Sequence, residues 1–198
     1  MPMAERCARF AQSREKALEL FASKGFGQVG MRELASHLGL APGSLYHHYP
    51  SKQHLLLDLI EEFYDERLAA LRRIAKRPGA MAARVPRIVQ AHVQLHRELP
   101  LHFRLVERDS PCLNEEQQQQ VARLRDAYEG QLLSLLGQQT RLDDPAVRAA
   151  GHALAALLNS APAWLTEHVP HQDGLIEHWV AAAIERLLPC PRPQALAG

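Results

Sequence analysis

Nowhere in the sequence is there an unbroken run of the ~18 apolar residues that a membrane-spanning helix requires. Residues 1–25 alternate charged and apolar positions and lack the continuous hydrophobic stretch of a secretory signal. Cysteine is scarce: Cys7, Cys112 and Cys190 are odd in number, far apart and form no CxxC pair, so they suggest a reducing compartment rather than a disulfide framework. These absences lead to the expectation of a cytoplasmic protein with no membrane segment. There is no HExxH, no phosphate-cradling glycine loop and no acid–base pair that spacing could bring together. The expectation is therefore no catalytic residue, no cofactor and no metal. An alternating strand pattern of useful length and any internal repeat are missing too, which leaves an all-α chain.

What is present is an ordinary globular composition, 46% apolar and 23% charged, with a net charge of +1 that does not by itself announce a nucleic-acid partner. The distribution is more telling. Residues 1–52 hold seven Lys/Arg against four Glu, a local excess of the kind an electrostatic footprint leaves.

Helical periodicity runs through the chain. Phe10, Ala17, Leu18 and Phe21 share a face that ends at Lys24-Gly25. Met31, Leu34, Ala35 and Leu38 fall at i, i+3, i+4 and i+7, and Gly39 ends that short helix. Pro42 suits the first turn of a third helix, and Ser51 is placed to cap a fourth whose Leu56, Leu59, Ile60, Phe63, Leu71 and Ile74 hold one face. Further helices are expected over about 81–98, around 101–108, from a capping box at Asn114 to Gln117 until Gly137, from Pro145 to about Ser160, and from Asp173 through Leu187. The total is about nine, followed by a flexible tail over 189–198.

Residues 31–49 form a helix-turn-helix: Gly39 supplies the left-handed turn and Leu40 fills the space between two helices too short to stand alone. They must lean on the helix of residues 4–24. In such a unit the second helix enters the major groove with its N-terminal residues at base edges. This accounts for the crowding of donors in GLAPGSLYHHYPSK. Ser44, Tyr46, His47 and His48 would face DNA, Leu45 and Tyr49 would anchor the helix, and Arg32 and Lys52 would meet phosphates.

The run ALELFASKGF…MRELASHLGLAPGSLYHHYPSKQHLL resembles the DNA-binding domain of the TetR family of transcriptional regulators over roughly residues 8–60. Ala17, Phe21, Gly25, Phe26, Leu34, Ala35, Gly39, Leu45, Tyr46 and Lys52 carry the resemblance. Gly30 and Ala41 depart from it, standing where the family usually has Thr and Ser or Thr. At Ala41 this leaves only the backbone N–H for a phosphate. The DNA-binding set implied is Arg32, Ala41, Gly43, Ser44, Tyr46, His47, His48 and Lys52. The resemblance implies a reading domain over 1–52, a helical ligand-binding and dimerisation domain over 53–188, a homodimer on a near-palindromic operator, and a repressor released by a small effector. The alternative is a DNA-binding protein of this fold that positions a protein partner and has no effector.

Two later stretches, LPLHFRLVERDSPCLNEEQQQQVARLRDAY and LLNSAPAWL, are similar to members that sense acyl-CoA thioesters or other lipid-like metabolites. With the mixture of aromatic and polar residues there, they give a candidate effector set of His92, His96, Phe103, Arg104, Tyr128, Asn159 and Trp164, with Arg104 or Arg108 offered to a phosphate or carboxylate. His92 and His96 lie at i and i+4, a spacing that equally suits a metal, pocket lining or plain packing. Arg72, Arg73, Lys76 and Arg77 are taken as a solvated helix end favoured by the dipole. The alanine-rich helix near 146–161 and the Trp179 helix suggest a dimer face through Leu157, Trp179, Val180 and Ile184.

Overall fold

Glycine, proline and asparagine set the helix ends in the computed structural model, which describes residues 3–77, 79–168 and 173–188. Among the described residues there are nine α-helices and no strand: α1 (Met3–Lys24), α2 (Met31–His37), α3 (Pro42–His48), α4 (Lys52–Ala75), α5 (Met81–Glu98), α6 (Pro100–Asp109), α7 (Glu115–Leu135), α8 (Pro145–His168) and α9 (Asp173–Leu187). Short 3-10 turns follow α1 at Phe26–Gln28 and α6 at Ser110–Cys112. The expected tail over 189–198 lies outside the described residues. No helix among them is long and apolar enough to cross a membrane.

The local signals act as their chemistry demands. At the start of α7 the Gln117 N–H donates to Asn114 Oδ1 at 2.9 Å, and the Asn114 N–H donates back to Gln117 Oε1 at 3.2 Å. This is the reciprocal capping box, which satisfies two otherwise orphaned donors. After α2 the Leu40 N–H reaches the Ala35 carbonyl at 2.9 Å and the Gly39 N–H reaches Ser36 at 3.1 Å. That Schellman pairing requires Gly39 at φ 67°, a conformation in which a side chain would be strained.

One boundary differs from the sequence expectation. α8 does not stop near Ser160 but continues to His168 with Pro162 inside it. A proline in mid-helix removes one N–H and leaves the carbonyl four residues earlier without its backbone donor. Here that carbonyl is Leu158, and the His96 side chain stands against the backbone at Asn159 and Leu158. A polar side chain of α5 is thus beside the gap over which the helix continues.

The chain divides into two compact units, one of residues 1–66 and 98–125, the other of 67–97 and 126–198. The first unit reaches well past residue 52 because α6 and the start of α7 are tied to α1 and α4. Phe103 of α6 stands edge-on to Phe63 of α4, with centroids 4.7 Å apart, and Gln120 of α7 donates to the Glu61 carboxylate. Arg108 of α6 donates to the carbonyls of Phe21 at 2.6 Å and Ala22 at 3.3 Å, occupying carbonyls near the end of α1. Phe21, Leu34, Leu45, Leu56 and Phe63 are the centre of this unit, all essentially inaccessible.

The second unit buries Leu71, Ile88, Tyr128, Leu132, Val147, Leu154 and Leu158 with Ile176, Val180 and Ile184 of α9. Its α7 and α8 run close together at Gly151, where a Cβ would lie 2.7 Å from Leu133 Cδ1.

Candidate functional site

The reading head is built on two seven-residue helices. Neither has a side-chain N-cap, since Gly30 and Ala41 stand at those positions in extended backbone. On α3 the side chains sort as the helical period requires. Leu45 and Tyr49 are buried, while Ser44, Tyr46, His47 and His48 are exposed, Tyr46 by 51%. Ala41, Gly43 and Arg32 are exposed as well. The DNA-binding set therefore lies on the outside of the head, Lys52 excepted.

Lys52 is half-buried at the first residue of α4. Its ammonium donates to the carbonyls of Phe26 and Val29 at 2.8 Å each and lies 4.4 Å from the centre of the Phe26 ring. It thus closes the 3-10 turn between α1 and α2 onto α4. Tyr49 fixes the other end of α3 by donating to Asp58 Oδ2 at 2.9 Å. Burial and that carboxylate push the Tyr49 phenol well above its usual pKa. Arg14 of α1 donates to Glu62 at 2.7 Å and to the Asp58 carbonyl at 3.2 Å, binding α1 to the same stretch of α4. Ser51, expected as a cap, instead pairs its Oγ with His54 Nδ1 at 2.9 Å.

A second constellation lies inside the other unit. Arg67 of α4, His92 and His96 of α5, Tyr128 of α7 and Asn159 of α8 converge there, with Arg67 and His92 only 1% exposed. Arg67 donates to Asn159 Oδ1 at 2.5 Å, and its guanidinium stacks 3.6 Å from the centre of the Tyr128 ring. His92 Nδ1 lies 2.7 Å from the Ile88 carbonyl. A carbonyl can only accept, so Nδ1 carries the proton, and Nε2 then accepts from the Tyr128 hydroxyl. Burial, followed by the Arg67 charge, pushes His92 down to about 3; burial lowers His96 to about 4. Both imidazoles are neutral at neutral pH.

Four of the seven residues of the expected effector set thus meet: His92, His96, Tyr128 and Asn159. The other three do not join them. Phe103 packs on Phe63, and Arg104 is exposed; both belong to the other unit. Trp164 is 50% exposed beside Trp179. Arg108 is not presented to a ligand, since Asp109 grips it at 3.0 and 2.7 Å while it caps α1. Arg67 was missed by the sequence reading. Its signal is the gap between Phe63 and Leu71 in the apolar stripe of α4, where spacing of three and four calls for an inward residue at 67. Among the dimer candidates, Leu157 and Trp179 are partly exposed, whereas Val180 and Ile184 are buried within the chain itself. Among the described residues no three side chains are grouped to hold a metal.

Residues 14–59 match the family described as bacterial regulatory proteins, tetR family, and residues 78–187 match that described as tetracyclin repressor-like, C-terminal domain. The chain is 38% identical over 52 residues to the uncharacterized HTH-type transcriptional regulator YuxN of Bacillus subtilis (strain 168), a stretch covering 26% of this chain and 18% of that protein. It spans less than half the length of the first curated relatives it matches. Among solved structures it is similar to a bacterial regulatory protein in the tetR family from Rhodococcus RHA1, at 26% identity and TM-score 0.76 over 93% of this chain and 98% of that one. It shares the fold of AibR, whose crystal structure is in complex with isovaleryl coenzyme A and operator DNA, at 16% identity and TM-score 0.67 over 92% of this chain and 100% of that one.

Two outcomes follow from these geometries. Lys52→Ala removes two charge-assisted hydrogen bonds inside the head, a cost of about 2–3 kcal/mol. It should lower the denaturation midpoint and weaken DNA binding of every sequence alike, whereas His47→Ala should leave stability within about 0.5 kcal/mol and change discrimination at one base pair by about 1–3 kcal/mol. An unaltered midpoint for Lys52→Ala in urea titration would show that its carbonyl contacts do not hold the head. The second outcome concerns acid. In the unfolded chain both histidines titrate near 6.5, so between that value and their folded pKa values the unfolded state binds more protons, and stability is lost as the pH is lowered. His92 alone should cost about 2 kcal/mol at pH 5 relative to neutral pH, from a folded value of about 3. Urea titrations at the two pH values measure it; equal unfolding free energies would mean that His92 protonates in place.

Proposed function

Since the chain belongs to the TetR family of bacterial regulatory proteins, we propose that it is a homodimeric repressor that reads a near-palindromic operator and is released by a small effector. Base edges are read by Ser44, Tyr46, His47 and His48. Arg32 and the backbone N–H groups of Ala41 and Gly43 meet phosphates, and Lys52 acts by positioning the head. The observation that supports an effector is the buried polar constellation of the second unit, where four helices each bring hydrogen-bonding groups to one point. A monomer core of pure packing has no use for them, and each must be desolvated. Arg67, His92, His96, Tyr128 and Asn159 form the effector site, and the fold shared with AibR, whose crystal structure holds isovaleryl coenzyme A, supports an acyl-CoA as the class to try first.

The operator-competent and released states must differ in affinity for the effector, because a ligand that binds both equally shifts nothing. Acyl-CoAs of several chain lengths, titrated against the protein–operator complex, should release it at one range of lengths. Arg67→Met should raise the required concentration about tenfold or more with operator affinity unchanged. If no chain length releases the DNA and calorimetry detects no binding, the acyl-CoA assignment is lost.

The dimer face is proposed on the outer side of α8 and α9. Trp164 and Leu187 are exposed there by 50% and 43%, beside the partly exposed Leu157 and Trp179. Val180 and Ile184 contribute from beneath, by fixing α9 on α8. Leu187→Glu should convert a dimer to a monomer in light scattering while thermal unfolding remains cooperative. A monomeric parent protein at micromolar concentration would defeat the assignment.

A further inference from the structure

Residues 67–97 contain eight Lys/Arg and no Asp or Glu, in a chain whose net charge is +1. The strongest cationic segment is therefore not in the reading head but at the corner where α4 ends and α5 begins. Arg72, Arg73, Lys76 and Arg77 are all exposed there, and no ion pair or side-chain hydrogen bond engages them among the described residues.

The helix dipole explains part of this arrangement, since cations are favoured in the last turn of α4. It does not explain the rest. Arg72 and Arg73 stand in the last turn of α4, and Lys76 and Arg77 follow in the turn just beyond it, so four like charges crowd one helix end. Beyond the corner, Arg84 and Arg87 occupy the first half of α5, near the end where the dipole opposes a cation, and no acidic residue stands in its first turn. A terminal nitrogen of Arg87 comes within 3.5 Å of where a Cβ on Gly79 would lie, so its guanidinium rests against the corner itself. A solvated helical face would intersperse acids among such charges. This one accumulates positive potential from two helices.

We propose that the α4–α5 corner binds the phosphates of a small ligand carrying at least two phosphate groups, with Arg73, Lys76 and Arg77 as its principal contacts. This rests on the effector reading, and it relocates the phosphate-binding role that Arg108 cannot fill while it caps α1. The spacing suits a long, headed ligand. Arg67 and Arg73 are six residues apart on α4, roughly 9 Å along its axis, and Lys76 lies just beyond the helix end. A phosphate head at the corner and a group recognised at Arg67 would be joined by an arm of that reach. The same chemistry comes from a free nucleotide or from coenzyme A, and the probes below separate them.

Calorimetry on the full chain with coenzyme A, ADP, an acyl-CoA and the matching N-acetylcysteamine thioester, which has the acyl group and no phosphate, tests the assignment. Coenzyme A should bind the parent protein, more weakly as salt is raised. The combined variant Arg73→Gln/Lys76→Gln/Arg77→Gln should bind coenzyme A and acyl-CoA about tenfold or more weakly, while its affinity for the thioester and its operator affinity stay within about twofold. ADP binding as tightly as coenzyme A would make the ligand a nucleotide and keep the site. Absence of coenzyme A and ADP binding to the parent overturns the proposal, as does a variant that binds them unchanged. Loss of operator affinity in the variant also overturns it, because the corner would then be a DNA contact. If coenzyme A binds but an acyl chain adds nothing, the corner stands and the acyl-effector reading falls.

Discussion

Two helices of seven residues have no stability of their own, since helix nucleation consumes the gain of so few hydrogen bonds. Everything the reading head presents to DNA depends on how α2 and α3 are held from outside. The holding is polar at the edges and apolar beneath. Leu34 and Leu45 enter the core with Phe21 and Phe26, and the Lys52 ammonium draws the carbonyls of Phe26 and Val29 onto α4. Tyr49 and Arg14 fasten α3 and α1 to the next turns of the same helix through Asp58 and Glu62. α4 is thus the member against which the others are aligned, and the displayed face of α3 is defined by what its hidden face grips.

The parts of this arrangement written in local chemistry were legible in the sequence. Gly39, Pro42, the Asn114–Gln117 box and the three-and-four spacing of Leu34, Leu45 and their neighbours each act within one or two turns, so their effect follows from residue type and spacing. The exposed and buried faces of α3 were legible for the same reason. What was not legible depends on partners distant in sequence. Lys52 has the position of a phosphate ligand on α4, and only the path of the chain 23 to 26 residues earlier shows that carbonyls occupy its ammonium. Pro162 signals a helix end, yet α8 runs on past it, and the polar side chain beside the backbone it opens, His96, is on another helix. Arg67 occupies a core position on the stripe of α4, where a charged side chain is rarely buried. Its burial is tolerable only with Asn159, 92 residues away, and the Tyr128 ring beside it.

The constellation around Arg67 shows how a polar core is assembled without opposing charges at each step. The guanidinium stacks on the electron-rich face of Tyr128, and the hydroxyl of that ring donates to His92. His92 can accept only while neutral, and both burial and the nearby cation keep it so. Burial, with this one charge beside it, therefore fixes the protonation state of the imidazole. The tautomer of His92, set by the Ile88 carbonyl, then determines which way the Tyr128 hydroxyl points. Such a chain has few alternative arrangements, which makes it a demanding element of the core and a selective one toward any group that enters it.

The cations of the head raise a related question of allocation. Arg14 is engaged with Glu62, Lys24 with Glu33, and Lys52 with backbone carbonyls. α3 itself, PGSLYHH, contains neither lysine nor arginine. Of the basic residues whose side chains are described in the head, Lys16 and Arg32 alone are exposed with no ion pair among the described residues. Counterion release scales with the number of phosphates a protein neutralises, so each cation engaged inside the head is one fewer for non-specific attraction. What α3 itself exposes are hydroxyls and imidazoles, whose hydrogen bonds are short-ranged and sensitive to the identity of their partner. The denser run of positive charge lies at the α4–α5 corner. A chain near overall neutrality thereby carries its densest cationic segment on other elements than the helix that displays hydroxyls and imidazoles.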